Sequence, residues 1–94
     1  MLTVNEYFDG KVKSIAFAAT DLPATVGVML PGNYTFNTSE REYVTVIEGE
    51  LRVRLPGCDE WKSLGPADTF TVEAGQSFDL EIASAMAYLC KYER

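Results

Sequence analysis

Residues 32–56 constrain the fold most, because strand-forming and turn-forming residues alternate there at short intervals. Residues 42–47 are mostly β-branched and aromatic, which favours a pleated strand over a helix. Glu48-Gly49 interrupts this run, and a glycine can adopt the positive φ that a tight turn requires. Residues 51–55 then alternate apolar and charged side chains, as a strand with one buried face does. We therefore predict a β-hairpin whose turn is at Glu48-Gly49.

Short apolar and β-branched runs recur along the rest of the chain, separated by turn residues such as Gly, Pro and Asp. Residues 5–10 are interpreted as a lead-in that ends in a turn. No segment longer than one or two helical turns has helical periodicity. The pattern predicts an all-β protein, an antiparallel β-barrel of about nine short strands in a single domain spanning residues 1–94. The predicted strands are residues 11–18, 24–30, 34–38, 42–47, 51–55, 60–64, 69–72, 77–82 and 85–92.

Charge and composition limit the possible partners. The chain has 94 residues, a formal net charge of −6 and a sequence pI near 4.5, which argues against nucleic acid and anionic membranes as partners. A small anion can still bind at a local basic site. No apolar run reaches membrane-spanning length and the first residues do not resemble a signal peptide, so we expect a cytoplasmic protein. The small size favours association with a second copy, and a homodimer is expected.

Histidine is absent from the sequence, which excludes His-based acid–base catalysis and histidine metal sites. The two cysteines, Cys58 and Cys90, do not have the spacing of metal ligands. A disulfide between them stays open at this point, although a reduced pair is the expectation for a cytoplasmic protein.

Glu42 and Gly49 are separated by six residues, a spacing that resembles the second half of the first cupin motif. The histidine positions of that motif fall on Phe36 and Thr38, and the histidine of the second cupin motif falls on Phe78. Of the four metal-ligand positions, only Glu42 carries a side chain that binds metal ions. No metal or other cofactor is therefore expected, and a metal-dependent cupin dioxygenase or isomerase is disfavoured.

Strand alternation predicts an inner surface that combines aromatic rings, one carboxylate and a hydroxyl. Such a surface suits a flat ligand, whereas the alternative is that the rings are ordinary barrel core. The residues on this surface are Tyr34, Phe36, Thr38 and Glu42, with Phe78 and Tyr88 added by the cupin resemblance.

A closer resemblance extends over nearly the whole chain. Its residues are Asn5-Glu6-Tyr7-Phe8, Gly10-Lys11-Val12-Lys13-Ser14-Ile15, Val26-Gly27-Val28-Met29, Gly32, Tyr34-Thr35-Phe36, Thr38, Glu40, Glu42, Thr45-Val46-Ile47, Gly49, Leu55-Pro56, Trp61, Tyr88-Leu89-Cys90 and Tyr92. In these residues the chain resembles the small cupin family of pyrimidine/purine nucleoside phosphorylases. The resemblance implies phosphorolysis of nucleosides to free base and ribose 1-phosphate, with a broad choice of base. The chain departs from the family pattern at Arg52, Arg54 and Lys91.

The chemistry of phosphorolysis suggests roles for these residues. Glu42 is the candidate catalytic carboxylate that stabilises positive charge on the ribose, with the Thr38 hydroxyl beside it. Lys11 and Lys13 are the candidate phosphate-binding residues, although a solvated strand face would also account for them. The aromatic side chains Tyr34, Phe36, Phe78 and Tyr88 are the candidate nucleoside-binding residues, because stacking accepts any base. The alternative function is a metal-free cupin that binds a small molecule without catalysis.

Overall fold

The computed structural model describes all residues, 1–94, and contains ten β-strands and no helix. Every hydrogen-bonded strand pair is antiparallel, so the prediction of an antiparallel all-β chain is confirmed. None of its elements could therefore serve as a membrane-spanning helix. The strands are β1 (Thr3–Tyr7), β2 (Val12–Ala18), β3 (Pro23–Met29), β4 (Gly32–Asn37), β5 (Arg41–Glu48), β6 (Leu51–Arg54), β7 (Lys62–Leu64), β8 (Thr69–Val72), β9 (Ser77–Ile82) and β10 (Met86–Glu93).

The strands form two sheets. The larger has the order β1-β2-β3-β10-β5-β8, and the smaller has the order β4-β9-β6-β7. The inward faces of both sheets contribute to one cluster of 15 buried residues, among them Val12 and Val46 from the larger sheet and Val53 and Leu80 from the smaller. The hydrogen-bond ladders do not close into one barrel; they remain two separate sheets that pack against each other.

The predicted hairpin at Glu48-Gly49 is wrong. β5 pairs with β10 and β8, whereas β6 pairs with β7 and β9, so the chain crosses from one sheet to the other at this turn. Gly49 does adopt a positive φ of 85°, and a Cβ there would lie 2.8 Å from the Cβ of Met86. Glycine is therefore required at the crossing. For β6, alternation correctly predicted the face that carries Leu51 and Val53 as the buried one, but alternation does not indicate which strand pairs with it.

Strand β1 was missed, because residues 5–10 were interpreted as a lead-in. It pairs with β2 from Thr3↔Ala16 to Tyr7↔Val12. Four of its five residues are exposed, so it lacks the alternation by which a half-buried strand is recognised. The turn after it holds Phe8 and Asp9 at positive φ values of 53° and 57°. This turn matters for the site, since it brings the rings of Tyr7 and Phe8 against Phe36, with centroids 6.3 and 5.4 Å away.

The core leaves no buried side-chain nitrogen or oxygen atom without a hydrogen-bond partner. Each large apolar side chain that is fully buried contributes about 1.5–3 kcal/mol to folding. Cys58 is exposed and Cys90 is buried, and both are free thiols. The open question about the cysteines is thus answered: the chain has no disulfide.

Candidate functional site

A cavity of about 140 Å³ lies between the two sheets. Its volume is close to the ~150 Å³ of an engineered apolar cavity that binds benzene, so it has room for one planar ring. The buried part of its wall is mostly apolar, whereas the rim consists of less buried residues. The wall is formed by Ser14, Met29, Val44, Phe70, Phe78, Leu80, Tyr88 and Cys90, and the rim by Tyr7, Phe36, Asn37, Glu42 and Tyr92.

Four of the site residues predicted from the sequence meet at this cavity: Phe36, Glu42, Phe78 and Tyr88. Phe36 of β4 and Phe78 of β9 are register partners, and their rings stack with centroids 5.7 Å apart and an interplanar angle of 24°. Phe70 meets the edge of Phe78 with centroids 5.5 Å apart. The cavity therefore has an aromatic wall against which a flat ring can stack.

Glu42 lies on β5 and is the only acidic residue that lines the cavity. The thiol of Cys90 donates a hydrogen bond to Oε1 of Glu42 over 3.5 Å, and no protein group bonds to Oε2. Burial raises the pKa of the Glu42 carboxyl above its ordinary value, an effect that the Cys90 hydrogen bond opposes and the charge of Glu40 reinforces. The cavity thus offers one carboxylate oxygen to a ligand.

Three polar side chains of β10 also line the cavity, and they are uncharged at neutral pH. Burial, assisted by the neighbouring Cys90, raises the pKa of Tyr88 to about 12. Burial likewise raises the pKa of the Cys90 thiol and of the Tyr92 phenol well above their ordinary values. The Tyr92 hydroxyl is hydrogen-bonded to the Thr25 hydroxyl at 3.0 Å. These groups present neutral donors and acceptors, so Glu42 is the only group of the cavity that carries a charge.

Thr38 and Tyr34 do not line the cavity. The Thr38 hydroxyl donates to the carbonyl oxygen of Glu73 over 2.7 Å and accepts from the backbone N–H of Gln76 at 3.0 Å. The Tyr34 hydroxyl donates to the carbonyl oxygen of Leu30 over 2.6 Å. Both hydroxyls are therefore committed to holding backbone segments together. Thr38 is buried as alternation predicts, but it follows the end of β4 and packs against the segment that holds Glu73 and Gln76, and Asn37 lines the rim instead.

Lys11 and Lys13 are also outside the cavity. Lys13 follows Val12 and precedes Ser14, both of which are buried, so its own side chain points to the opposite face of β2. There it forms an ion pair with Glu6 at 3.1 Å, with more than half of each side chain exposed. Lys11 is exposed in the turn before β2. No lysine or arginine lines the cavity.

Nine residues that line the cavity were not predicted as site residues, and five of them are polar: Tyr7, Ser14, Asn37, Cys90 and Tyr92. Tyr7 was missed because β1 was missed. The inward position of Ser14 could have been predicted from the sequence, since Ser14 shares a strand face with the apolar residue Val12, which is fully buried. Cys90 and Tyr92 lie two and four positions after Tyr88 on β10, so the period of two places all three on one side.

A metal ion does not fit this site. The structure has no group of three or more Cys, Asp or Glu side chains that could hold a metal. Phe36 and Phe78 offer no ligand atom, and the hydroxyl of Thr38 is bonded to backbone atoms. Glu42 is the only one of these four residues with a free ligand atom, and one ligand does not make a metal site.

A surface groove continues from the rim of the cavity. It shares Tyr7 and Tyr92 with the cavity and extends past Thr25 and Ser39 to Arg94. The Arg94 side chain is 92% exposed, and its nearest carboxylate, Glu40, is 3.7 Å from Nε. Arg94 is therefore the only cation in this groove, and it is only loosely paired.

Comparisons with known proteins agree along the full length of the chain. The model of the family described as pyrimidine/purine nucleoside phosphorylase matches residues 2–92. A relative from Teredinibacter turnerae named pyrimidine/purine nucleoside phosphorylase is 58% identical over 94 residues, covering 100% of both chains. A crystal structure of a Vibrio parahaemolyticus protein of unknown function has a TM-score of 0.94 at 42% identity and covers 99% of both chains.

A more distant neighbour indicates the fold type. The crystal structure of an RmlC-like cupin from Shewanella frigidimarina has a TM-score of 0.76 at 18% identity, covering 97% of this chain and 82% of that one. At this identity the similarity concerns the fold alone. The chain therefore has a cupin-like fold.

Proposed function

The chain belongs to the pyrimidine/purine nucleoside phosphorylase family, and we propose that it is an enzyme that cleaves purine and pyrimidine nucleosides with inorganic phosphate. The products are the free base and ribose 1-phosphate. The observation that carries the proposal is the cavity itself, which combines stacked aromatic walls with one carboxylate, Glu42, at its rim. An aromatic wall suits a base, and a carboxylate suits a ribose that gains positive charge.

The reaction forms a bond between C1′ of the ribose and a phosphate oxygen and breaks the bond between C1′ and the base nitrogen. The electron pair of the broken bond leaves with the base, which takes up the proton released by dihydrogen phosphate. Positive charge develops on the ribose in the transition state, as in glycoside hydrolysis. In the proposed mechanism the free Oε2 of Glu42 stabilises this charge and accepts hydrogen bonds from the ribose hydroxyls.

The size of the cavity supports one orientation of the substrate in the proposed mechanism. Because the cavity holds about one ring, the base occupies its buried part and the ribose lies at the rim beside Glu42 and Asn37. Phe36 and Phe78 stack on the base, and Tyr88 forms another part of the wall. Stacking does not distinguish between bases, which accounts for a broad choice of purine and pyrimidine.

Phosphate approaches through the groove that begins at Tyr7 and Tyr92. The cation of this groove is Arg94. Its exposed guanidinium is only loosely paired with the Glu40 carboxylate, so it can release that carboxylate and bind a phosphate oxygen. This assignment replaces Lys11 and Lys13, because Lys13 lies on the other face of β2 and Lys11 is not part of the cavity. Thr38 and Tyr34 have structural hydroxyls and no role in the proposed mechanism.

Residues 1–94 act as one cupin domain that associates into a homodimer. Five large apolar side chains are 39–56% exposed on the outer face of β1, β2 and β3: Val4, Ile15, Phe17, Val26 and Val28. Val4, Ile15 and Val26 are successive register partners, so they form a continuous row across the three strands. Lys13, which lies among them, is neutralised by Glu6. An apolar patch of this kind marks an interface, and a second copy of the chain supplies a matching surface.

The test of the proposed function is direct. The purified protein is incubated with uridine, with and without inorganic phosphate, and uracil and ribose 1-phosphate are measured. We expect equal amounts of the two products, formed only when phosphate is present. Uridine binding without product formation would instead support the alternative, a small-molecule-binding module. That alternative is favoured by one observation, the absence of any lysine or arginine from the cavity wall.

A further inference from the structure

One inward-facing row of the large sheet contains a serine, a glycine and a tyrosine. Ser14 of β2 is the register partner of Gly27 of β3, and Gly27 is in turn the register partner of Tyr88 of β10. Ser14 is 3% exposed and Tyr88 is 9% exposed, and both line the buried part of the cavity. Two hydroxyl groups therefore interrupt a wall that is otherwise mostly apolar.

Gly27 explains how these two hydroxyl groups come together. A Cβ built on Gly27 would lie 2.5 Å from both Cζ and the hydroxyl oxygen of Tyr88, so any other residue would displace the ring. The Tyr88 ring therefore lies across the backbone of β3 at Gly27, the residue that stands between Tyr88 and Ser14 in this row. The sequence Ser–Gly–Tyr across three strands thus builds a pair of hydroxyls in the wall of the cavity.

We propose that the Ser14 and Tyr88 hydroxyls bind the edge of the nucleobase that points away from the ribose. This inference rests on the proposed function, since it assumes that a nucleoside inserts its base first. A ring stacked on Phe36 and Phe78 directs its far edge into the buried part of the cavity, while the glycosidic nitrogen stays near Glu42 at the rim.

The chemistry of a hydroxyl pair fits a family that accepts several bases. Each hydroxyl can donate or accept a hydrogen bond, and rotation of the O–H bond selects between the two. Uracil presents a carbonyl acceptor and an N–H donor at this edge, whereas cytosine presents an amino donor and a ring-nitrogen acceptor. The six-membered rings of hypoxanthine and adenine show the same two patterns. A hydroxyl pair can hydrogen-bond with both patterns. A base that lacks these donor and acceptor groups at its far edge binds less tightly, because the hydroxyls then lose their partners.

The test compares two ligands by calorimetry in the absence of phosphate, so that no turnover is needed. The ligands are uridine and the riboside of pyrimidin-2-one, which lacks the 4-oxo group and the N3 proton. We expect the wild-type protein to bind uridine about tenfold more tightly, the effect of about one net hydrogen bond. Ser14→Ala and Tyr88→Phe should weaken uridine binding by a similar factor and leave the analogue nearly unchanged. Ser63→Ala, at an exposed serine of β7, is the matched control and should behave as wild type.

The outcomes separate the inference from the proposed function. A wild-type protein that binds both ligands equally, or a Ser14→Ala variant that keeps the full preference for uridine, would overturn the inference even if phosphorolysis is observed. A preference that depends on Ser14 and Tyr88, in a protein that shows no phosphorolysis, would support the inference and refute the proposed reaction. A general weakening of both ligands by the same factor in Ser14→Ala would indicate a structural role and would also overturn it.

Discussion

Cys90 and Glu42 lie on neighbouring strands, and the thiol of Cys90 donates to Oε1 of Glu42 across 3.5 Å. The two side chains meet at the edge of a cavity that is otherwise lined mainly by apolar groups. Other titratable groups near Glu42 are Tyr88 and Tyr92 on β10, Tyr7 on β1, and Glu40, which precedes β5. None of them is a cation. The Glu42 carboxylate is therefore stabilised by a single weak hydrogen bond, and its partial burial raises the pKa of the carboxyl.

This arrangement predicts the pH dependence of the reaction. Burial raises the pKa of Glu42, so the carboxyl holds its proton to a higher pH than an ordinary glutamate would. The protonated form cannot stabilise a positive ribose, and we expect kcat/KM to decrease on the acid side with an apparent pKa above 4.5. The same shift favours the folded protein at low pH, and this contribution is lost as the pH rises through the raised pKa. An activity profile that stays flat down to the ordinary glutamate range would contradict the role of Glu42.

Thr38 is predicted to matter for stability. Its hydroxyl bonds to the backbone of Glu73 and Gln76, and its own backbone N–H donates to the carbonyl of Gln76 at 2.9 Å. Thr38→Val leaves the part-buried carbonyl of Glu73 and N–H of Gln76 without their side-chain partner, so we expect a loss of about 1–3 kcal/mol in the free energy of unfolding by urea. Thr45→Val, at an exposed threonine pair, is the control and should change stability by less than about 0.5 kcal/mol. Equal effects would show that the Thr38 hydroxyl is not structural.

The KM for phosphate tests whether phosphate binds beside Arg94 in the groove or beside Lys13 on the outer face of β2. Arg94→Gln removes the one cation of the groove, and we expect the KM for phosphate to rise about tenfold while the KM for uridine changes little, because a charge-assisted contact is lost. Lys13→Met is the control, since Lys13 is paired with Glu6 on the outer face. A rise in the phosphate KM of Lys13→Met, with Arg94→Gln unchanged, would reverse the assignment.

The apolar patch on β1–β3 predicts a dimer that a single charge disrupts. Ile15 is at the centre of the row, with Val4 on one side and Val26 on the other. Ile15→Glu buries a charge at a two-fold interface, and we expect light scattering to report a monomer for this variant and a dimer for the wild type. Thr69→Glu, at the opposite edge of the same sheet, should remain dimeric. A wild-type protein that is monomeric at micromolar concentration would refute the dimer.

The sequence predicts the strands well and their arrangement poorly. The bounds of β8 and β9 agree with the prediction to the residue, because turn residues flank both runs of alternating side chains. The partner of β6 could not be predicted, since burying Leu51 and Val53 is equally possible in a hairpin and in a second sheet. The pairing depends on long-range packing, which local periodicity does not record.

Most of the site residues predicted from motif positions line the cavity, whereas the two lysines predicted from their charge do not. Phe36, Glu42 and Phe78 occupy motif positions and meet at the cavity, and Thr38 is the exception, since its strand ends one residue earlier. Lys13 was chosen for its charge, yet alternation with the buried Ser14 already places it outside. Arg94 could not be predicted at all, because its position relative to the groove depends on the packing of β10.

The most direct measurement is the initial rate of uracil release by the Glu42→Gln variant, with uridine and phosphate varied separately. The substitution keeps the shape of the side chain and removes its charge. If Glu42 stabilises the transition state at the ribose, kcat should fall by about 10²-fold or more while the KM for uridine changes much less. The Ser63→Ala control should retain the wild-type rate. A folded Glu42→Gln variant with the full rate would place the reaction outside this cavity and contradict the account.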